Sequence, residues 1–134
     1  MDSIFDSPPL NNAAKLAARV LLSIIFIVSG FNKITGYTGT IAYMATAGVP
    51  GALLPLVILV EIAGGIMLLV GYQTRLVALV LAAFTLVAGV LFHMQFGNQG
   101  QMVHFMKNLA ITGGFLQLFA TGPGLWSVDG QKRS

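Results

Sequence analysis

The chain has 134 residues, of which 56% are hydrophobic and only 8% are charged, whereas about a quarter of the residues in an ordinary soluble domain are charged. This composition excludes an ordinary soluble protein and indicates a membrane protein. The chain contains no cysteine, which excludes disulfides, thiolate metal sites and covalently attached c-type haem. Its net charge of +3 comes from scattered Lys and Arg residues, which form no continuous basic stripe for nucleic acid.

Four segments are long and apolar enough to cross a bilayer, which requires about 20 mostly apolar residues. They cover residues 13–31, 52–70, 76–96 and 105–121, and glycine-rich breaks separate them. The predicted fold is therefore an all-α integral membrane protein, a bundle of four transmembrane helices that forms one domain over residues 1–134. Lys15 and Arg19 lie in the first two turns of the first span, and we expect both side chains to extend toward the lipid headgroups.

The connection between the first two spans, residues 32–51, is long for a helix hairpin and contains an uncharged, moderately apolar segment, residues 38–47. We expect this segment to form a short interfacial helix on the outer surface of the membrane. An anchor at the membrane surface is the favoured interpretation, and a lid over a cavity between the helices is the alternative.

The basic residues predict how the helices are oriented. Two of them lie beside one set of helix ends and five beside the other: Lys33 and Lys107 against Lys15, Arg19, Arg75, Lys132 and Arg133. Because Lys and Arg are enriched in cytoplasmic loops, the count places both termini in the cytoplasm.

Small residues mark the helix faces that pack together in a membrane. One face of the third span carries such residues at three- and four-residue steps: Ala78, Ala82, Thr85, Gly89 and His93. In the second span Glu61 shares a face with Gly64 and Gly65, so we expect another helix backbone to come close there.

Glu61 is the only acidic residue inside a predicted span. A carboxylate near the bilayer centre costs about 2.5–3.5 kcal/mol, so it requires a partner or a proton. The functional interpretation is a proton carrier or a hydrogen-bonding partner for a ligand head group, and the structural alternative is an ion pair with Lys33 or Lys107. Lys107 is the favoured counter-charge, although a lysine near a helix end also commonly extends to the headgroups.

The other polar residues have structural interpretations as well. Asn108 favours a hydrogen bond between helices, and Lys33 and Arg75 favour positions at the membrane interface. For His93 and His104, proton exchange or headgroup contact is favoured over haem ligation. The candidate catalytic residues are therefore Glu61 and Lys107, the candidate ligand-binding residues are Lys33, Arg75, His93 and Asn108, and no metal site is expected.

Four motifs stand out along the chain. They are Ser-Gly-Phe-Asn-Lys-Ile-Thr-Gly-Tyr at 29–37, Ala-Gly-Val-Pro-Gly at 47–51, Glu-Ile-Ala-Gly-Gly-Ile-Met-Leu-Leu-Val-Gly at 61–71 followed by Thr-Arg at 74–75, and Lys-Asn-Leu-Ala-Ile-Thr-Gly-Gly-Phe-Leu at 107–116. Together they resemble the DoxX family of small bacterial inner-membrane proteins. The resemblance covers residues 19–124 and is strongest to the short members of the family. It implies a four-helix membrane bundle and a link to quinone-coupled redox chemistry, because the family name derives from a subunit of a quinone-linked sulfur-oxidising complex. The motif positions carried over are Lys33, Glu61, Arg75, Lys107 and Asn108.

The leading hypothesis is a component of a quinone-linked membrane redox system that binds an apolar redox molecule between its helices, with Glu61 and Lys107 near the polar head. Such a role requires a quinone pool, a flavin or other membrane redox subunits as partners. The alternatives are a proton-coupled transporter or exporter of small apolar compounds and a structural membrane subunit without catalysis. Since four helices enclose a path poorly, a homo-oligomer is expected for the transporter.

Overall fold

The computed structural model describes residues 7–93 and 97–132, which form helices and the turns between them. In chain order the helices are α1 (Pro8–Thr35), α2 (Tyr37–Thr46), a 3-10 turn (Gly51–Leu53), α3 (Leu54–Val70), α4 (Thr74–His93), α5 (Gln99–Thr121) and α6 (Val128–Lys132). The described residues are thus all-helical, as predicted.

Three helical segments in the described part of the chain are long and apolar enough to cross a membrane: Pro8–Thr35, Gly51–Val70 and Thr74–His93. They match the first three predicted spans, although α1 begins earlier and ends later than predicted. The last residues of the third predicted span, 94–96, lie outside the described residues. The helix α5 covers the predicted fourth span but is less apolar, because polar side chains such as Gln101, His104 and Lys107 interrupt its first half.

The helices pack most closely in two pairs, α1 with α3 and α4 with α5. Contacts between α3 and α4 and between α1 and α5 join the two pairs. Phe26 of α1 meets Phe115 of α5 edge to face, with ring centroids 5.4 Å apart. Around them lies the apolar core that these four helices share, which also includes Leu68, Val77, Ala78, Leu81, Ala82 and Leu118.

Two glycines allow α1 and α3 to approach each other beside Glu61. A Cβ atom on Gly30 would collide with the side chain of Ile62. A Cβ atom on Gly65 would lie 2.7 Å from Cγ1 of Ile27 and 3.3 Å from a main-chain oxygen of α1. The close backbone approach that the sequence predicts near Glu61 is therefore confirmed, and it sets the distance between α1 and α3.

The predicted contact face of α4 is also confirmed. Four of its five small or polar residues are buried and the fifth, His93, is half-buried at the end of the helix. Gly89 lies against α5, where a Cβ atom would be 3.2 Å from Cβ of Asn108. Helix α5 therefore covers this face.

The two ends of the bundle differ in what closes them. At one end, which we call the α2 end, lie α2 and the 3-10 turn; at the other, the α6 end, α6 lies beside the start of α1 and the start of α4. There Asn12 accepts a hydrogen bond from the main-chain N–H of Leu125 at 3.0 Å. The carboxylate of Asp129 accepts from the N–H groups of Gln73 at 2.9 Å and Thr74 at 2.7 Å, which satisfies unpaired donors at the start of α4.

Arg19 does not reach for the headgroups, so that expectation is wrong. Its side chain is fully buried, and Nη1 donates to the carbonyls of Leu68 at 3.2 Å and Leu69 at 2.8 Å. Its Nη2 donates to the carbonyl of Trp126 at 2.5 Å. The carbonyls in the last turn of a helix have no intrahelical partners, so they provide a site for this guanidinium inside the bundle. Arg19 thereby ties α1, α3 and the chain before α6 together.

Candidate functional site

A cavity of about 390 Å³ lies between the helices at the α2 end. Side chains of α1, α2, α3, α4 and α5 all contribute to its wall, which is mostly apolar. The residues of the wall that carry polar groups are Ser29, Lys33, Thr40, Tyr43, Glu61, Thr85, His93 and Asn108. Its volume and its few convergent polar groups are typical of a site for a small, largely apolar molecule.

Glu61 forms an ion pair with Lys33 in the wall of this cavity. Lys33 Nζ lies 2.8 Å from Glu61 Oε1, and the two side chains are 28% and 6% exposed. Lys33 Nζ also donates a hydrogen bond to the hydroxyl of Ser29, one turn earlier in α1, at 2.6 Å. The close approach of α1 and α3 at Gly30 brings the pair together, since Gly30 precedes Lys33 by three residues and faces α3.

Two buried oxygen atoms in the cavity wall, Oε1 of Glu61 and the hydroxyl oxygen of Thr85, make no hydrogen bond of standard geometry within the described residues. Oε1 of Glu61 is nevertheless paired, because Nζ of Lys33 lies 2.8 Å from it. The Thr85 hydroxyl has no such partner among the described residues. Because most buried polar atoms in folded proteins have a partner, this hydroxyl suits a ligand that forms a hydrogen bond with it.

Asn108 takes the structural position that the sequence favours. Its amide nitrogen donates to the carbonyl of Thr85 on α4 at 3.2 Å, which is a hydrogen bond between helices. Its own carbonyl accepts from the hydroxyl of Thr112 at 2.7 Å. Asn108 therefore holds α5 against α4 where both helices reach the cavity.

His93 lies where α4 ends beside the cavity. Its Nδ1 atom is 2.6 Å from Oε1 of Gln101, and its ring centroid is 5.1 Å from that of His104. In residues 7–93 and 97–132, no third His, Cys, Asp or Glu joins the two histidines in a cluster that could hold a metal ion.

Helix α2 contributes directly to the cavity wall through Thr40, Tyr43 and Met44. Met44 is buried, and the ring of Tyr43 stacks on Phe92 of α4 with centroids 5.4 Å apart. These contacts support the alternative that the sequence left open, a lid over a cavity, more than a simple surface anchor.

A shallow groove of about 700 Å³ runs along α1 and α2 next to the cavity. The groove and the cavity share Ile25, Ser29, Lys33, Thr40 and Tyr43. Groove and cavity are therefore adjoining spaces with a common wall, and the ion pair lies close to the boundary between them.

The structure brings four of the six predicted site residues to the cavity and leaves two away from it. Glu61, Lys33, His93 and Asn108 line it, and the counter-charge of Glu61 is Lys33 instead of the favoured Lys107.

Lys107 is exposed on α5 outside the cavity wall, because one residue along a helix corresponds to a rotation of about 100° from Asn108. Arg75 lies at the α6 end, against Gly122. Ser29 also lines the cavity but is not among the predicted site residues. Its four-residue spacing to Lys33 places both side chains on one face of α1, which is a signal that identifies it from the sequence.

A second polar cluster, distant from the cavity, surrounds Asp129 at the α6 end. Burial alone would raise the pKa of Asp129, but the main-chain N–H groups of Thr74 and Gln73 and the charge of Lys132 outweigh it. The pKa of this carboxyl group is therefore lower than usual, so the group is firmly ionised while it caps α4.

Comparison with known proteins identifies the family. The DoxX family model matches residues 14–94. Inner membrane protein YqjF of Escherichia coli is 52% identical over 120 residues, which covers 90% of this chain and 92% of that protein. Inner membrane protein YphA of the same organism is 36% identical over 132 residues, 93% of this chain and 94% of that protein.

A third relative, named "Putative oxidoreductase CatD" in Bacillus subtilis, is 36% identical over 76 residues, 57% of this chain and 56% of that protein. No solved structure matches the chain. The family match over more than half of the chain and the near full-length relatives agree with the resemblance seen in the motifs. The chain belongs to the DoxX family of membrane proteins.

Proposed function

We propose that this protein binds a quinone, or a similar apolar redox molecule with a polar head, in the cavity beside Glu61, as a component of a quinone-linked membrane redox system. The observation that carries the proposal is the ion pair of Glu61 with Lys33 in the wall of a mostly apolar cavity. The same wall holds the buried Thr85 hydroxyl, which has no hydrogen-bond partner among the described residues. A hydroquinone head offers hydroxyl groups that can hydrogen-bond to the carboxylate and to this hydroxyl, and apolar walls accommodate its tail.

The ion pair supplies the proton chemistry in this proposal. Reduction of a quinone to a hydroquinone takes two electrons and two protons, and its oxidation releases them. Glu61 accepts or delivers one of the two protons at a quinone oxygen, while Lys33 keeps the carboxylate charge balanced in a poorly solvated site. The second proton is exchanged with solvent. The electrons come from or go to a redox partner. The name of the Bacillus subtilis relative supports this choice of reaction class.

The groove along α1 and α2 gives the molecule a lateral route from the bilayer. Exposed apolar residues of α1, including Ile24 and Val28, line this groove. Quinones dissolve in the hydrocarbon core of a membrane, so entry from the side requires no passage through water. Tyr43 and the rest of α2 then act as the lid of the cavity.

The membrane arrangement completes the proposal. Helix α5 is the fourth span, because 23 residues extend about 35 Å and its exposed residues include Met102, Val103, Leu116 and Phe119. An even number of spans agrees with the contact of Asn12 and Leu125, which brings the two ends of the described chain to the same end of the bundle. Both termini then lie in the cytoplasm and α2 lies at the outer surface of the inner membrane.

Equilibrium binding of a labelled ubiquinone and a labelled menaquinone to the protein in lipid nanodiscs tests this function. We expect saturable binding of at least one, weakened roughly tenfold or more by Glu61→Gln, since a hydrogen bond to a charged group contributes about 1.5–3 kcal/mol. Lys107→Met is the matched control, because Lys107 is an exposed lysine of the same half of the bundle. The proposal fails if neither quinone binds, or if Lys107→Met weakens binding and Glu61→Gln does not.

A further inference from the structure

A second concave surface lies at the α6 end, on the opposite side of the molecule from the cavity. It is a groove of about 460 Å³ that runs between the start of α1, the start of α4, the turn at residues 122–124 and α6. Three basic residues line it, Lys15, Arg75 and Lys132, against one acid, Asp129. The groove therefore carries an excess of positive charge.

The acid offsets one of these three positive charges, and both of its oxygens accept main-chain hydrogen bonds. Asp129 Oδ1 accepts from Gln73 at 2.9 Å and Oδ2 from Thr74 at 2.7 Å. Within residues 7–93 and 97–132, neither Lys15 nor Arg75 has an ion-pair or hydrogen-bond partner. Two cations are thus available to an anion.

The turn at residues 122–124 positions these two cations. Gly122 and Gly124 have φ angles of 82° and 85°, which only glycine adopts readily. A Cβ atom on Gly122 would lie 3.1 Å from Nε of Arg75, and one on Gly124 would lie 3.2 Å from Cδ of Lys15. The bare backbone of the turn therefore allows Lys15 and Arg75 to lie against it at the rim of one groove.

The surroundings of the groove are apolar and exposed. Leu76 is 60% exposed, Leu125 51% and Trp126 48%. Leu76 and Leu125 line the groove themselves, at the end of helices that are long and apolar enough to cross a membrane. A cationic groove flanked by exposed apolar side chains, at the end of membrane-spanning helices, suits an amphipathic anion better than a fully soluble one.

We propose that this groove binds the phosphate headgroup of an anionic phospholipid, with the phosphate between Lys15 and Arg75 and the acyl chains beside Leu76. The site is separate from the cavity at Glu61 and does not depend on the quinone proposal. Basic residues that only orient the helices would attract anionic lipid without retaining any one molecule. A bound lipid, in contrast, stays with the protein in detergent.

Native mass spectrometry of the purified full chain, with added phosphatidylglycerol or phosphatidylcholine, distinguishes these possibilities. We expect retention of a phosphatidylglycerol molecule at concentrations where phosphatidylcholine is not retained. Because each basic residue near an anionic lipid contributes about fivefold, the double variant Lys15→Gln/Arg75→Gln should retain roughly 25-fold less. Lys107→Gln removes an exposed charge far from the groove and should retain as much as the unmodified protein.

Two further measurements distinguish lipid binding from a folding defect and from the binding of free phosphate. Arg75→Lys keeps the positive charge and should recover most of the retention lost in Arg75→Gln, which a general folding defect would not allow. Inorganic phosphate at a concentration equal to the lipid should not displace it, since the acyl chains contribute to binding. Equal retention of both lipids, equal loss in Lys107→Gln, or displacement by inorganic phosphate alone would each overturn the proposal.

Discussion

A double-mutant cycle on Lys33 and Glu61 examines the ion pair on which the cavity depends. Lys33→Met leaves the carboxylate of Glu61, only 6% exposed, without its counter-charge. Removing one partner of a fully buried pair costs about 3–5 kcal/mol. Because Lys33 is 28% exposed, solvent screens the pair and we expect a smaller loss of about 1–3 kcal/mol in the free energy of unfolding.

The double variant Lys33→Met/Glu61→Gln removes both charges and leaves neither unpaired. It should be more stable than the sum of the two single changes predicts, with a coupling energy of about 1–3 kcal/mol. Reversible unfolding of the four proteins in mixed detergent micelles, followed by circular dichroism, measures this energy.

The same cycle with Lys107→Met instead of Lys33→Met is the control, and its coupling energy should fall within about 0.5 kcal/mol of zero. Additive effects for Lys33 and Glu61, or a coupling energy that appears only with Lys107, would refute the pairing.

Three other changes test separate parts of the structure. Arg19→Gln should lower the free energy of unfolding by about 3 kcal/mol or more, because Arg19 makes three hydrogen bonds to main-chain carbonyls. Chemical unfolding measures this loss, and an unchanged midpoint would contradict a stabilising role for these hydrogen bonds. The pKa of Asp129 is lowered in the folded protein from its ordinary value of 3.8, so its contribution to stability is present above that value and is lost as the pH falls through the lower folded pKa. Asp129→Asn should therefore flatten stability against pH in this acidic range, and an unaltered profile would argue against the cap on α4. Gly39→Phe should slow quinone uptake by roughly tenfold, which corresponds to an added barrier of about 1.4 kcal/mol. Gly39 lines the groove, and a Cβ atom there meets no other atom within 4 Å, so the ring fits without a clash and narrows the groove. The control is Gly113→Phe, a position on α5 that is equally unobstructed and should not affect uptake.

Much of the fold could be predicted from the sequence because hydrocarbon imposes a simple rule on helix length and polarity. The three most apolar helices follow that rule, and the contact face of α4 follows from the spacing of its small residues. Helix α5 conforms less well, since the polar residues that reach α4 and the cavity also lower its mean hydropathy.

The pairing inside the site was harder to predict, because it depends on how each helix is rotated about its axis. Lys107 and Asn108 are adjacent in sequence, yet Asn108 lies in the cavity wall and Lys107 faces outward. The contact of Lys33 with Glu61 requires α1 and α3 to approach at Gly30. Sequence spacing indicates which residues share a face of one helix, but it does not indicate which faces of two helices meet.

Arg19 shows that a basic residue near a helix end can be buried between helices. Its position early in the first span suggested a side chain extended toward the headgroups, but it is fully buried. A signal was present in the sequence, since Arg19 shares a helix face with Ser23, Phe26 and Gly30, the other buried residues of α1. An arginine on the face that packs against a neighbouring helix can bind the carbonyls at the end of that helix.

The most direct measurement of the central claim is photolabelling of the protein in nanodiscs with an azidoquinone, followed by peptide mapping. If the cavity binds the quinone, covalent label should concentrate on the peptides that contain Tyr43 and the segment from Thr85 to His93. Excess unlabelled quinone should remove this label, and Glu61→Gln should reduce it while Lys107→Met does not. Label spread over exposed residues such as Leu59 and Val103, with no competition by unlabelled quinone, would contradict the account.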